Sequence, residues 1–576
     1  MADTAELSST RRGREGRWWR AWRVVLPLVA ALPAVRATVR AVQVGWVPIA
    51  DEGVIALRAH DVLTTRTPAL GQMSLASAAA GAPTRSPGPL GYWVLAPAAQ
   101  VGPLWLVAAA AGALAALALA ATVHLAGRRC GVALMVPVTA GLVLSARAFD
   151  PVNLAVGWNP SIGLAPMALL VLLAWSVGVG ERGWLPLTVA VASFLAQVHV
   201  TFTLPAIAAV AVAVAGGWTP DALGWWRGRR ADGDAAPPRP PLRPLVLAAA
   251  VGVVLWAIPL AQQLTRHPGN LTLLSRSAGG EVRGAEVAGH VLAWSVGLPP
   301  AFGRSHVGGL EILGRLDPPW CSLQVASAVG VGIGLLALVV RGVRLRRRDI
   351  GIPPLVVLAM LAASSVALRS TPTDERGVSV GYTTWWLIPV GMLAWVALVG
   401  TAVRASTRAT ALLGRVARRP GSTRGAGVVV LVAVVLTVAV ALGTPIRDPE
   451  DHLYPVAEQV GDAVAGEVRA GRRYQVLEYG ILGLQLAPGI AYRIRRAGAD
   501  PVILGGDGVS AGAEYQPRGV RCAAVVGLEP LGPGERVPEP EPGTELLRVV
   551  DIPPGPVVDA TRVVVTWSVD AAEPSC

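Results

Sequence analysis

The chain has 576 residues, 53% of them hydrophobic and only 15% charged, with a mean hydropathy of +0.52. A soluble globular protein carries a larger charged share, so that class is excluded. The net charge of +13 would suggest nucleic acid in a soluble domain, but here every cation is an arginine and the arginines fall between apolar runs, so the charge reports topology and no nucleic-acid partner is expected.

The apolar runs are long enough to cross a bilayer, which takes about 20 residues each. Residues 1–23 form a basic, aromatic start (RRGREGRWWRAWR) that the positive-inside rule keeps in the cytoplasm. The first segment spans 24–44 and reads as an anchor, because no small-residue cleavage site follows a short apolar core. Arg36 and Arg40 lie in its outer half and either snorkel outward or face lipid phosphate. An outer loop, 45–102, follows. Further segments are expected at 103–126, 132–146, 161–179, 184–198, 201–217, 245–262, 322–340, 352–368, 383–403 and 427–442. Outer loops fall at 147–160, 263–320 and 369–382, and arginine clusters mark the cytoplasmic turns. The sum is about eleven helices by the spanning-length criterion, with the N-terminus inside and the C-terminus outside. This is a polytopic α-helical membrane protein of the plasma membrane, with its membrane domain at 24–442.

Residues 443–576 are different material, polar and rich in turn clusters such as GGDGVSAG. Helix-like stretches at 453–469 and 484–496 alternate with apolar β-branched runs: RYQVLEY, DPVILGG, GVRCAAVVG, ELLRVVD and TRVVVTWSV. That pattern predicts a C-terminal extracytoplasmic α/β domain with its own core. Cys522 and Cys576 both fall in it, where a disulfide persists if formed, while Cys130 and Cys321 read as packing residues.

The chemistry is expected in the outer loops. Asp51-Glu52 stands directly after the first segment, where a carboxylate is costly to desolvate. Two adjacent residues point different ways, so one faces a reaction while the other orients a neighbour. The apolar turn VIALRAH before Asp61 reads as an amphipathic helix at the membrane surface. The competing reading of the pair is a solvated loop edge or a helix N-terminus, which favours acids. Asp150, preceded by Arg147, gives a second carboxylate in the next outer loop; its plain alternative is a turn aspartate before proline. Asn153, Trp158 and Asn159 share that loop and either contact a substrate or cap the next helix. No GxGxxG, Walker A or HExxH constellation with suitable context is present, and no cofactor is assigned. A divalent metal ion is the one cofactor left open, with His199, His267 and His306 as weak candidates to hold it.

The order of these features resembles the GT-C superfamily of polyprenyl-phosphate-sugar-dependent glycosyltransferases, which includes the protein O-mannosyltransferases, the aminoarabinose transferases and the arabinofuranosyltransferases. The likeness rests on Asp51-Glu52 after the first segment, on Pro87-Gly88-Pro89-Leu90-Gly91-Tyr92-Trp93 leading into an aromatic helix, and on Asp150 in the following outer loop. Many members carry a basic residue directly before a Pro-Pro pair; this chain has Arg85-Ser86-Pro87-Gly88-Pro89 instead. The resemblance implies inverting transfer of a sugar from a polyprenyl-phosphate carrier to an extracytoplasmic glycan, lipid or protein. Asp51, Glu52 and Asp150 become the candidate catalytic carboxylates. Arg58, Arg85, Tyr92, Arg147, His199 and Arg276 become the candidate substrate-binding residues, the arginines stabilising the leaving phosphate. The rival readings are a transporter or lipid flippase, for which internal pseudo-symmetry is missing, and a noncatalytic envelope scaffold.

Overall fold

The computed structural model describes residues 2–74, 76–228, 241–277, 284–305, 322–371, 381–406, 408, 422–517 and 522–569. Among them, nine helices are long and apolar enough to cross a membrane: Arg20–Gln43, Leu106–Cys130, Asn159–Gly178, Val200–Thr219, Arg243–Thr265, Ser322–Arg344, Arg348–Arg369, Gly381–Ala405 and Gly425–Gly443. The remaining two of the expected segments fall on shorter apolar helices, Val132–Ala148 with 17 residues and Leu185–Val198 with 14. The chain is thus a multi-pass membrane protein.

Burial sorts these helices into layers. The Asn159–Gly178 helix is wholly enclosed, so it is apolar all round. The Arg243–Thr265 and Gly425–Gly443 helices are mostly uncovered and turn Val253, Val254, Val429 and Leu436 outward, as lipid requires. Small residues bring backbones together in the interior: a Cβ on Gly216 would lie 2.8 Å from the carbonyl oxygen of Gly178.

The two ends of the bundle differ in charge. At one end Arg128 and Arg129 pair with Glu181, and Arg404 donates to the Asp349 carbonyl at 2.8 Å. At the other end lie the acidic helix (Ala50–His60) and the C-terminal domain. That domain is a five-stranded sheet of β1 (Arg473–Leu477), β2 (Asp500–Leu504), β3 (Ala524–Leu531), β4 (Thr544–Asp551) and β5 (Arg562–Ser568), in the order β2-β1-β3-β5-β4. β1 is parallel to β2 and β3; β5 runs antiparallel to β3 and β4. Each of the five apolar runs read from the sequence carries one strand.

A docking helix (Gly480–Arg496) fastens the sheet to the membrane part. Its Leu482, Leu486, Ile490 and Tyr492 are buried, and Tyr492 donates to the Ala99 carbonyl at 2.7 Å. The acidic helix packs on it through glycine: a Cβ on Gly53 would meet Gly489 N at 2.7 Å. This corrects the expectation of a surface helix over VIALRAH. Residues Val54 to Ala59 are buried within protein, because the docking helix covers the apolar face that would otherwise seek lipid.

Arg36 and Arg40 are also corrected. Arg36 donates to the carbonyls of Ala441 and Thr444, and Arg40 pairs with Asp451 at 3.0 Å, so both tie the first span to the exit of the last. Cys522 is disulfide-bonded, while Cys321 and Cys576 lie outside the described residues.

Candidate active site

Ala50 begins the acidic helix with a positive φ of 47°, a strained conformation for a non-glycine residue. That turn puts Asp51 and Glu52 into the first helical turn, where backbone N–H groups favour negative charge. The two carboxylates then part company, as adjacent helical residues must.

The Asp51 side chain is exposed to solvent, yet enough protein surrounds its carboxyl to desolvate it in part. Its Oδ2 accepts a hydrogen bond from the Trp158 indole N–H at 2.9 Å. Burial raises the pKa of Asp51, and the hydrogen bonds from Trp158 and Gln72 act against that rise. A carboxylate with raised basicity, held by two neutral donors, is equipped to take a proton. Trp158 itself stands in an aromatic group, its ring 4.5 Å from that of Tyr382 and 6.1 Å from that of Trp385.

Glu52 faces a different set. Its pKa is pushed well above the usual carboxylate value by burial, and then by Glu450, Asp448 and Asp51. Glu450 rises to about 7, chiefly by burial and then through Asp448 and Asp51. Asp448 is also raised by burial, and accepts from the Tyr454 hydroxyl at 2.7 Å. Asp448 and Glu450 were missed in the sequence. The available signal was the run Arg447-Asp448-Pro449-Glu450-Asp451 directly after the last span, the counterpart of Asp51-Glu52 after the first.

The Pro87–Tyr92 stretch also reaches this place. Tyr92, Gln72, Gly88, Gly157 and Asn159 line a cavity that admits a single water-sized group. The Tyr92 hydroxyl and Gln72 Oε1 are buried there without a hydrogen-bond partner among the described residues. Burial pushes the Tyr92 phenol up to about 12, so it stays a donor.

Other expected residues are engaged elsewhere. Arg58 is buried and paired with Asp61 at 3.4 Å and with Glu514. Arg85 donates to the Ser510 carbonyl at 2.6 Å and to that of Val509, and burial lowers its pKa. Both guanidinium groups hold the C-terminal domain, and sequence distance concealed those partners. His199 shares a 2.7 Å hydrogen bond with Thr201 and packs on Phe202, so it caps a turn. Arg147 is half-buried and Arg276 exposed; neither has a hydrogen-bond or ion-pair partner among the described residues. Asp150 is buried and holds a φ of 66° before Pro151. Its carbonyl accepts from Asn153 N at 3.1 Å, and Asn153 in turn accepts from Ser161 at 3.0 Å. Glu281, Arg283 and His306 lie outside the described residues. Among the described residues no three His, Cys, Asp or Glu side chains form a metal-binding group, and no step below passes through a metal.

No protein-family description and no curated protein matches the chain. Three similar solved structures have low identity. ArnT from Cupriavidus metallidurans bound to undecaprenyl phosphate is 13% identical, with a TM-score of 0.48, over 96% of this chain and 98% of that one. The same protein in the apo state gives 13% identity and a TM-score of 0.45, over 98% of each chain. The archaeal oligosaccharyltransferase AglB from Archaeoglobus fulgidus, in complex with an inhibitory peptide and a dolichol-phosphate, is 11% identical. Its TM-score is 0.40, over 88% of this chain and 69% of that one.

Proposed function

We propose that the chain is a membrane glycosyltransferase that moves a sugar from a polyprenyl-phosphate carrier to an acceptor hydroxyl outside the cytoplasm. The observation that carries this reading is the Asp51 carboxylate. It stands directly beyond the first span, raised in pKa and oriented by the Trp158 indole and Gln72.

In this reading Asp51 removes the proton from the acceptor hydroxyl. The oxygen attacks the anomeric carbon from the face opposite the carrier. The bond between that carbon and the phosphate oxygen breaks with inversion, and polyprenyl phosphate departs with its negative charge. Of the arginines named above, Arg147 and Arg276 are left without a partner among the described residues, so they are assigned to that leaving group. Asp150, at the end of the helix that carries Arg147, orients the neighbouring loop. Burial and the neighbouring Glu450 and Asp448 favour the protonated form of Glu52, more strongly than burial alone does for Asp51. The acidic end of the bundle and the sheet domain face outward, and the arginine-rich end faces the cytoplasm.

The test is sugar transfer in membranes expressing the full chain, with radiolabelled sugars on polyprenyl phosphate. Asp51→Asn is expected to lower transfer by roughly 10²–10⁴-fold while eluting normally in gel filtration. A well-folded Asp51→Asn protein that keeps its activity sinks the assignment. Wild-type membranes that transfer from no donor sink the function.

A further inference from the structure

Beside the Asp51 carboxylate stand an aromatic face and two uncharged hydrogen-bonding groups. Trp158, Tyr382 and Trp385 come from two distant parts of the chain. Trp158 and Tyr382 are partly exposed at 4.5 Å between ring centroids, and Trp385 is packed behind them with 4% exposure. The Trp158 N–H is bonded to Asp51, so the indole plane is fixed relative to the carboxylate. On the adjoining cavity wall, Gln72 Oε1 and the Tyr92 hydroxyl are buried orphans, one an acceptor and the other a donor. A buried orphan costs about 1–3 kcal/mol unless something fills the role of water. Arg40, Arg58, Arg66 and Arg85, the arginines flanking these residues in sequence, are all engaged by residues after the last span.

We propose that Trp158 and Tyr382 form the stacking face for the transferred sugar. The inference rests on the transferase reading and assigns its sugar subsite. A saccharide presents apolar C–H faces and hydroxyls that both donate and accept. Aromatic faces take the first, and Gln72 and Tyr92 take the second. Trp158 is therefore also a positioning residue, because the ring that carries the sugar holds the base.

The experiment measures binding, so it does not depend on turnover. Full-length protein in nanodiscs is titrated with undecaprenyl phosphate alone and with undecaprenyl phosphates carrying neutral hexoses, neutral pentoses or an amino sugar. Wild type is expected to bind at least one sugar-bearing carrier about tenfold more tightly than the bare carrier. Tyr382→Leu and Trp158→Leu are expected to erase that preference and leave bare-carrier affinity unchanged. Trp158→Phe, which keeps a ring and loses the N–H, is expected to keep the preference, and in the separate transfer assay its kcat is expected to fall.

Equal affinity for bare and sugar-bearing carriers overturns the subsite and leaves the carrier reading standing. A fall in affinity for both lipids together overturns it too, since that reports structural damage. A wild type that binds no carrier overturns the transferase reading and the subsite with it.

Discussion

Glu450 illustrates how a single residue ties stability to pH. Its ordinary pKa of 4.5 rises to about 7 in the folded protein. Between those values the native state holds more protons than the unfolded state, so stability falls as pH rises through that window. Above about 7 the native carboxylate is charged and buried beside Asp448 and Asp51. Glu450→Gln carries no such titration. Its melting temperature is expected to match wild type near pH 5 and to exceed it at pH 8, by a free-energy difference that grows at up to about 1.4 kcal/mol per pH unit across the window. Parallel melting curves from pH 5 to 8 would contradict this assignment. Asp51, also raised, differs from Glu450 in being exposed to solvent and bonded to the Trp158 indole, the features on which the proposed base role rests.

At the scale of elements, the contact between the acidic helix and the docking helix sets where Asp51 stands. That contact is tight because Gly53 and Gly489 have no side chains. A Cβ on Gly489 would run into the Pro48 carbonyl oxygen, two residues before the acidic helix begins. Gly489→Ala is therefore expected to cost about 1–3 kcal/mol by overpacking and to lower transfer at least tenfold by shifting the Asp51 turn. Gly466→Ala is the control. It lies in the helix Tyr454–Glu467 with open space around it, and it should gain about 0.5–1 kcal/mol from helix propensity. Thermal melts and transfer rates on the two variants check both statements. Equal behaviour of the pair would show that the helix contact does not govern the site. Asp61 adds a second fastening between the same parts. It is fully buried and meets Arg58 at 3.4 Å, Arg495 at 3.0 Å and the Tyr515 hydroxyl. Breaking such a buried network leaves charges uncompensated, so the domain is held by more than apolar packing.

The whole molecule has a sidedness that follows from its charges. Arg128, Arg129, Arg347 and Arg404 gather at one end, while the acidic helix and the sheet occupy the other. Alkaline phosphatase fused after Leu442 is expected to be active, and the same enzyme fused after Arg129 inactive, because phosphatase folds only outside the cytoplasm. The opposite pattern would place Asp51 in the cytoplasm and end the case for an extracytoplasmic acceptor.

The sequence by itself determined the class of fold. Runs of apolar residues report spanning helices, since a bilayer requires backbone hydrogen bonds to close within each segment. Alternating short β-branched runs gave away all five strands, and Asp51-Glu52 stood out because charge beside a membrane is conspicuous. Only the tertiary structure decided who meets whom. Arg58 and Arg85 read as phosphate-facing cations, yet their partners Glu514, Val509 and Ser510 lie more than 400 positions away. Glu450 joins Glu52 and Asp51, and Trp158 meets Tyr382, across long stretches of chain as well. Periodicity and composition are local properties, whereas a binding cleft is made where distant segments converge. No pattern along one segment reports the residue that will face it.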